Sequence, residues 1–282
     1  RALVEERFDR RASDEHFDAW PVSSLLERMK AERDDAPLIL PKLEHEDRFV
    51  RGVAAQRLAE IATIEIAERL TRMLDSDDDW TEERLLTGAA HGADRGSIDD
   101  EALRLLIEAV TAECRRREYV DGHLATFLLR VDRPQAVDVL TEILSPSTRS
   151  FSSILGALND ANVALPHERL EAWHTELRSR VVEPRDQWLV HSDIGAVILA
   201  HVVAGHPDGP ALVEVALDDD GRDVRAYAIE AHKQLLGLNG LSFYDALSSR
   251  EKAGTLNWQQ RAWWDITSLQ GQVSNGGFVQ YY

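Results

Sequence analysis

Apolar residues recur at helical intervals along most of this chain, and prolines punctuate the gaps between the runs. Over 46–61, Val50, Val53, Ala54, Leu58 and Ile61 share one stripe, and over 221–236 Val224, Tyr227, Ala228, Ala231 and Leu235 do the same. Positions three, four and seven apart lie on one face of an α-helix. The same spacing predicts helices over 81–90, 99–116, 121–131, 134–144, 151–160, 166–181, 186–203 and 210–217. No stretch alternates apolar and polar residues as a half-buried strand does. Pro134, Pro146, Pro166, Pro184, Pro207 and Pro210 fall where these runs begin or end. Proline fits the first turn of a helix but breaks its interior, so these residues mark inter-helix turns. The expected fold class is all-α.

Two of the predicted helices repeat each other. Leu43 is followed by an acidic turn and then by Val50-Arg51 and Ala54; Leu217 is followed by an acidic turn and then by Val224-Arg225 and Ala228. The pattern L-x-D-x-D-x-x-V-R-x-x-A resembles the HEAT-like repeat family. That resemblance implies an α-α superhelix of antiparallel helix pairs, in which the acidic turn caps a helix start and meets its positive dipole end. It also implies an arginine that links neighbouring turns and a small alanine where helices approach closely. The matched segments are 174 residues apart, about four intervals of the roughly 40–47 residues of such repeats. The expected organisation is a helical cap over 1–40, centred on 22–33 and entered at Trp20-Pro21, then a HEAT-like array over 41–238. An aromatic helical segment over 239–282 follows.

Charge narrows the function. Lys and Arg number 32 against 50 Asp and Glu, a net −18 over 282 residues. Such a surface repels nucleic-acid phosphates and anionic lipid heads and attracts cationic partners. The single cysteine, Cys114, rules out a disulfide framework or a multi-cysteine zinc site within the chain. It is expected to be a partly buried thiol, and Arg115, Arg116 and Arg117 are the groups that would lower its pKa. The three arginines point in different directions and are expected at a solvated helix C-terminus. No secretory signal or apolar membrane span is legible, so the expected location is cytoplasmic.

The linear sequence assembles no catalytic site. His191 and His201 share one predicted helix but are ten residues apart, about 80° out of alignment, so no metal pair is expected there. His45-Glu46 and His167-Glu168 invite comparison with the His-Glu ligand pairs of the HEAT-repeat iron hydroxylases. Those pairs directly follow Val-Arg, where this chain carries Gly52-Val53 and Ala226-Tyr227. HEAT-like alkylpurine glycosylases need a basic, aromatic groove, which a net −18 opposes. The aspartates at 75–79 and 218–220 lack the spacing, central glycine and terminal glutamate of a calcium loop and read as helix caps. No cofactor or metal is expected.

Beyond Gly240 the acidic excess disappears and aromatics cluster. Val273 to Tyr282 reads V-S-N-G-G-F-V-Q-Y-Y, which resembles the V-N-N-G-G-F-x-Q-Y-F stretch of the DNA mimic protein 19 family, with Ser274 in place of the first asparagine. The founding member of that family presents acidic side chains to a DNA-binding protein in place of phosphates. The expected function is therefore a non-catalytic acidic scaffold for a basic protein partner, a DNA-binding protein or a toxin, without direct contact to nucleic acid or membrane. Glu44, Asp78, Asp79, Asp219 and Asp220 are its candidate contact residues. The alternative is an enzyme of a HEAT-like class in which Glu60, His123, His191 or Asp193 converge.

Overall fold

The structure, a computed structural model, describes residues 20–74, 78–180, 187–219 and 221–235. The aromatic segment 239–282, Asp220 and the aspartates at 75 and 77 lie outside the described residues. Among the described residues all regular structure is helical. The elements are α1 (Trp20–Arg28), α2 (Ala36–Ile39), α3 (Arg48–Ala59), α4 (Ile64–Thr71), α5 (Asp79–Arg95), α6 (Asp100–Arg116), α7 (Gly122–Val131) and α8 (Arg133–Ile143). They continue with α9 (Phe151–Asp160), α10 (His167–Ser179), α11 (Gln187–Val203), α12 (Gly209–Ala216) and α13 (Arg222–Leu235), and short 3-10 turns at Arg33–Asp35 and Leu40–Glu44 flank α2. None of these helices is long and apolar enough to cross a membrane.

The chain divides into two compact units, Arg1–Leu144 and Ser145–Tyr282. Within the first, α1 packs on α3, α3 on α5 and α5 on α7, while α4 packs on α6 and α6 on α8. Helices therefore stack in alternation. Within the second unit, α9 packs on α11 and α11 on α13, with α10 and α12 also against α11.

The predicted stripe of α3 is the core of the first unit: Val50, Val53, Ala54, Leu58 and Ile61 are all buried. On α13, Val224, Ala228 and Ala231 are buried, but Tyr227 is half-buried and Leu235 is 40% exposed. In the second unit Phe151 and Trp173 meet edge to face at 5.1 Å, a favoured aromatic geometry. The predicted 22–33 cap is the shorter α1 followed by a 3-10 turn. Helices α2 and α4 were not expected; at four and eight residues they are too short to show a full periodic window.

The closest helix contacts are made by glycine. A Cβ on Gly88 would lie 2.1 Å from the Gln56 carbonyl oxygen, one on Gly92 2.7 Å from that of Glu60, and one on Gly195 2.5 Å from the Tyr227 ring. Backbone meets backbone where α3 crosses α5, closer than the expected alanine contact allows.

Candidate functional site

The repeat match extends to hydrogen bonds. Arg51 donates to the carbonyls of His45 and Glu46, both at 2.8 Å, and Arg225 donates to that of Asp219. The His45 and Asp219 bonds have the same sequence offset. In the first turn the Asp47 N–H donates to His45 Nδ1 at 3.1 Å; in the second the Gly221 N–H donates to Asp219 Oδ1 at 2.7 Å. Each turn thus closes on the side chain two residues back, and the arginine one helical turn ahead staples it.

Arg51 also donates to Asp78 at 2.8 Å, joining the turn before α3 to the turn before α5. Asp78 accepts from the Thr81 hydroxyl at 2.7 Å and from its N–H at 3.3 Å. Burial alone would raise the Asp78 pKa, but the bonds from Thr81 and Arg51 bring it below the usual carboxylate value. At the next turn, before α7, burial raises the pKa of Asp121; His123 opposes this and the charge of Asp79 reinforces it. The Arg51–Asp78 bond and the Asp79–Asp121 charge interaction thus link the turns before α3, α5 and α7.

The candidate contact residues fall into two groups. Glu44 and Asp79 are exposed and form no ion pair among the described residues. Asp78 and Asp219 are held internally, Asp219 by Arg178 at 2.6 Å. Asp220 lies outside the described residues.

The alternative catalytic residues bond to different partners. Buried Glu60 pairs with Arg57 at 2.7 Å and Arg95 at 3.5 Å. His123 Nε2 lies 2.6 Å from Glu82 Oε1, and His191 packs where a Cβ on Gly221 would strike its ring at 2.7 Å. Two expectations around α6 need correction. Arg117 is not solvated: it turns inward to Glu82 at 2.5 Å and Glu113 at 2.9 Å, whereas Arg115 and Arg116 pair with Glu142 and Glu113 outside. Cys114 is fully buried rather than partly so, and burial pushes its thiol up to about 12, overcoming the attraction of Arg117.

Asp193 gives a pH-dependent prediction. It is 7% exposed and accepts from the Ser152 N–H at 3.1 Å. Burial pushes its carboxyl from 3.8 up to about 6, with Ser152 and Arg180 opposing in part. A folded-state value above the unfolded one favours the fold while the acid is protonated. This contribution is complete below the unfolded value and is lost as pH rises through about 6. Above that pH the ionised carboxylate costs about 3 kcal/mol. Asp193→Asn keeps an oxygen for the Ser152 N–H and removes the charge. Denaturant unfolding should show stabilisation of about 3 kcal/mol near pH 8 and little change near pH 4; equal effects at both values would refute the assignment.

The second unit also brings together side chains that are far apart in sequence. His167 opens α10 directly after Pro166, His201 lies in the last turn of α11, and Asp208 precedes α12. Gly205, at φ +69°, ends α11, and the His206 N–H closes back on the His201 carbonyl at 3.0 Å. This left-handed turn suits glycine and reverses the chain, which carries His206 and Asp208 back onto His201. The His167 ring lies 5.5 Å from that of His201 and 4.8 Å from that of His206, whose Nε2 lies 3.0 Å from the Leu165 carbonyl oxygen. Asp208 Oδ1 is 3.6 Å from His201 Nδ1 and 3.7 Å from His167 Nδ1.

His201 is 1% exposed, and no hydrogen bond of normal geometry reaches either ring nitrogen. Burial lowers its pKa; Asp208 opposes this, His206 and His167 add to it, and the Leu170 backbone opposes it least. Burial thereby favours the neutral imidazole over the charged one.

Sequence reasoning placed His201 beside His191 on one helix and His167 beside Glu168, so it missed this cluster. The available signal was Ala204-Gly205-His206-Pro207-Asp208-Gly209-Pro210, a tight reversal that carries two potential ligands. No family model matches the chain, and neither the curated proteins nor the solved structures searched contain a match.

Proposed function

We propose that this chain is a non-catalytic, acidic helical scaffold of the HEAT-like kind that binds a basic protein partner along the turn edge of its first unit. The observation that carries this reading is the run of linked acidic turns. Asp78 is anchored by Arg51, Asp121 senses the charge of Asp79, and Glu44 and Asp79 remain exposed. The net charge of −18 adds long-range attraction for a cationic surface. The shared Arg51 and Arg225 staples and the alternating helix contacts support the HEAT-like part of the reading. A DNA-binding protein, engaged by mimicry of phosphates, or a basic toxin fits this chemistry; direct binding of nucleic acid or an anionic membrane does not.

Affinity capture from the native host, eluted by a salt gradient, tests the proposal. The expected partners are basic, leave at high salt and are lost from a Glu44→Gln, Asp79→Asn double variant. That variant should keep the wild-type unfolding free energy to within about 1 kcal/mol, because both side chains are surface charges. Partners that are neutral or acidic, or that hold equally at all salt concentrations, would refute it.

A further inference from the structure

We propose that His167, His201 and Asp208 form a binding site for one divalent transition-metal ion of the zinc class. One ring nitrogen of His167, one of His201 and a carboxylate oxygen of Asp208 all lie within 4.8 Å of one another, and Nδ1 of each histidine is the atom nearest Asp208 Oδ1. Each of these atoms is buried, and no hydrogen bond of normal geometry reaches it among the described residues. An orphaned buried polar atom costs on the order of 1–3 kcal/mol, so three that converge on one point call for a shared partner.

The spacings identify that partner. At 3.6 and 3.7 Å the His–Asp edges are too long for hydrogen bonds. Around an ion with bonds of about 2.0–2.1 Å, neighbouring ligand atoms sit roughly 3.0–3.4 Å apart. The His–Asp edges reach that value by closing a few tenths of an ångström, and the His–His edge, which lies within 4.8 Å, by the two imidazoles turning toward the ion by up to about an ångström and a half. Two imidazole nitrogens with one carboxylate oxygen suit zinc, iron or cobalt, whereas calcium and magnesium take oxygen ligands.

The surroundings fit the same role. His206 packs against both liganding rings, and its Nε2 lies 3.0 Å from the Leu165 carbonyl oxygen, which fixes that ring beside them. The side chains of His167 and Asp208 are 40% and 42% exposed, so the cluster lies close beneath the surface. Three protein ligands leave a further coordination position for water. The bound ion would also tie the start of α10, the end of α11 and the start of α12 together, with the binding energy adding to the stability of that junction. A single buried water is the competing occupant, since a water also needs two or more polar partners.

The test uses the full chain, stripped with chelator and titrated with Zn²⁺ by calorimetry and with Co²⁺ by absorption spectroscopy. The expected result is one equivalent of tightly bound metal, intense visible bands of low-coordinate Co²⁺ and a raised thermal midpoint. His167→Ala and Asp208→Asn, both partly exposed, should keep the wild-type helical circular dichroism. Each should lower affinity by about 100-fold or more, at least the upper end of what losing a supporting partner costs. The absence of a one-equivalent binding event, a Co²⁺ spectrum like that of the hydrated ion, or wild-type affinity in both variants would leave water as the occupant and overturn the proposal.

Discussion

Glu82→Ala is expected to lower the stability of the first unit by about 3–5 kcal/mol, the cost of breaking a buried ion pair from one side. The Glu82 side chain is 1% exposed and accepts from Arg117 at 3.0 and 2.5 Å, while His123 lies at 2.6 Å. Burial alone would raise its pKa, yet the bonds from His123 and Arg117 hold it below 4.5. Glu82 in turn leads the interactions that raise Arg117 above its usual value. Because the folded value of Glu82 is depressed, its contribution is complete above pH 4.5 and is lost as pH falls through the lowered folded value.

Alanine leaves Arg117 half-satisfied, still on Glu113 and the Leu74 carbonyl but facing an empty acceptor site. Replacing both partners, Glu82→Leu with Arg117→Met, should cost less than Glu82→Ala alone, because apolar groups need no partner. Urea unfolding of the three proteins provides the comparison. A single-variant loss under about 1 kcal/mol would mean that the pair is merely a surface bridge.

Gly88→Ala should be the most damaging addition of a single methyl group. In a helix interior alanine normally gains about 0.5–1 kcal/mol over glycine. At Gly88 the new Cβ would meet the Gln56 carbonyl oxygen at 2.1 Å, with Gln56 C and Cα at 2.8 and 2.9 Å. These are backbone atoms, so no rotamer change relieves the clash; α5 must move bodily away from α3. Overpacking of this kind costs about 1–3 kcal/mol or more, which outweighs the propensity gain. The same movement would strain the Ser97 hydroxyl bond to the Glu60 carbonyl, now 2.6 Å. Denaturant unfolding should show a net loss of about 2 kcal/mol, whereas a neutral or stabilised variant would show that the helices can separate freely.

Most helices were legible because burial writes a periodic pattern: the 151–160 helix matches α9 at both ends, and 99–116 differs from α6 by one residue. The Val-Arg repeat was legible, and Arg51 makes the expected link to a neighbouring turn at Asp78, but the bonds of Arg51 and Arg225 to carbonyls of their own turns were not expected. Arg117 was misplaced because its neighbours Arg115 and Arg116 made a run of like residues; direction around a helix separates them, and a partner 35 residues upstream decides which one is buried. Gly88 and Gly92 were passed over because glycine at i and i+4 signals close approach only once a second helix is known to cross there.

The His167, His201 and Asp208 cluster shows the same boundary more sharply. No linear motif joins its members, since each belongs to a different helix or turn. The Gly205 reversal brings two of the segments together, and the neighbouring start of α10 supplies the third. By itself the sequence determined the helical character of the described residues, the repeated acidic turns and the negative charge, because helix periodicity, capping and net charge depend on near neighbours or on composition alone. Only the tertiary structure decided which acids stay free, which arginine is buried and which histidines face one another. Those outcomes depend on distances between residues tens of positions apart, and a hydrogen bond, an ion pair or a metal ligand set requires those distances to be met to within a few tenths of an ångström.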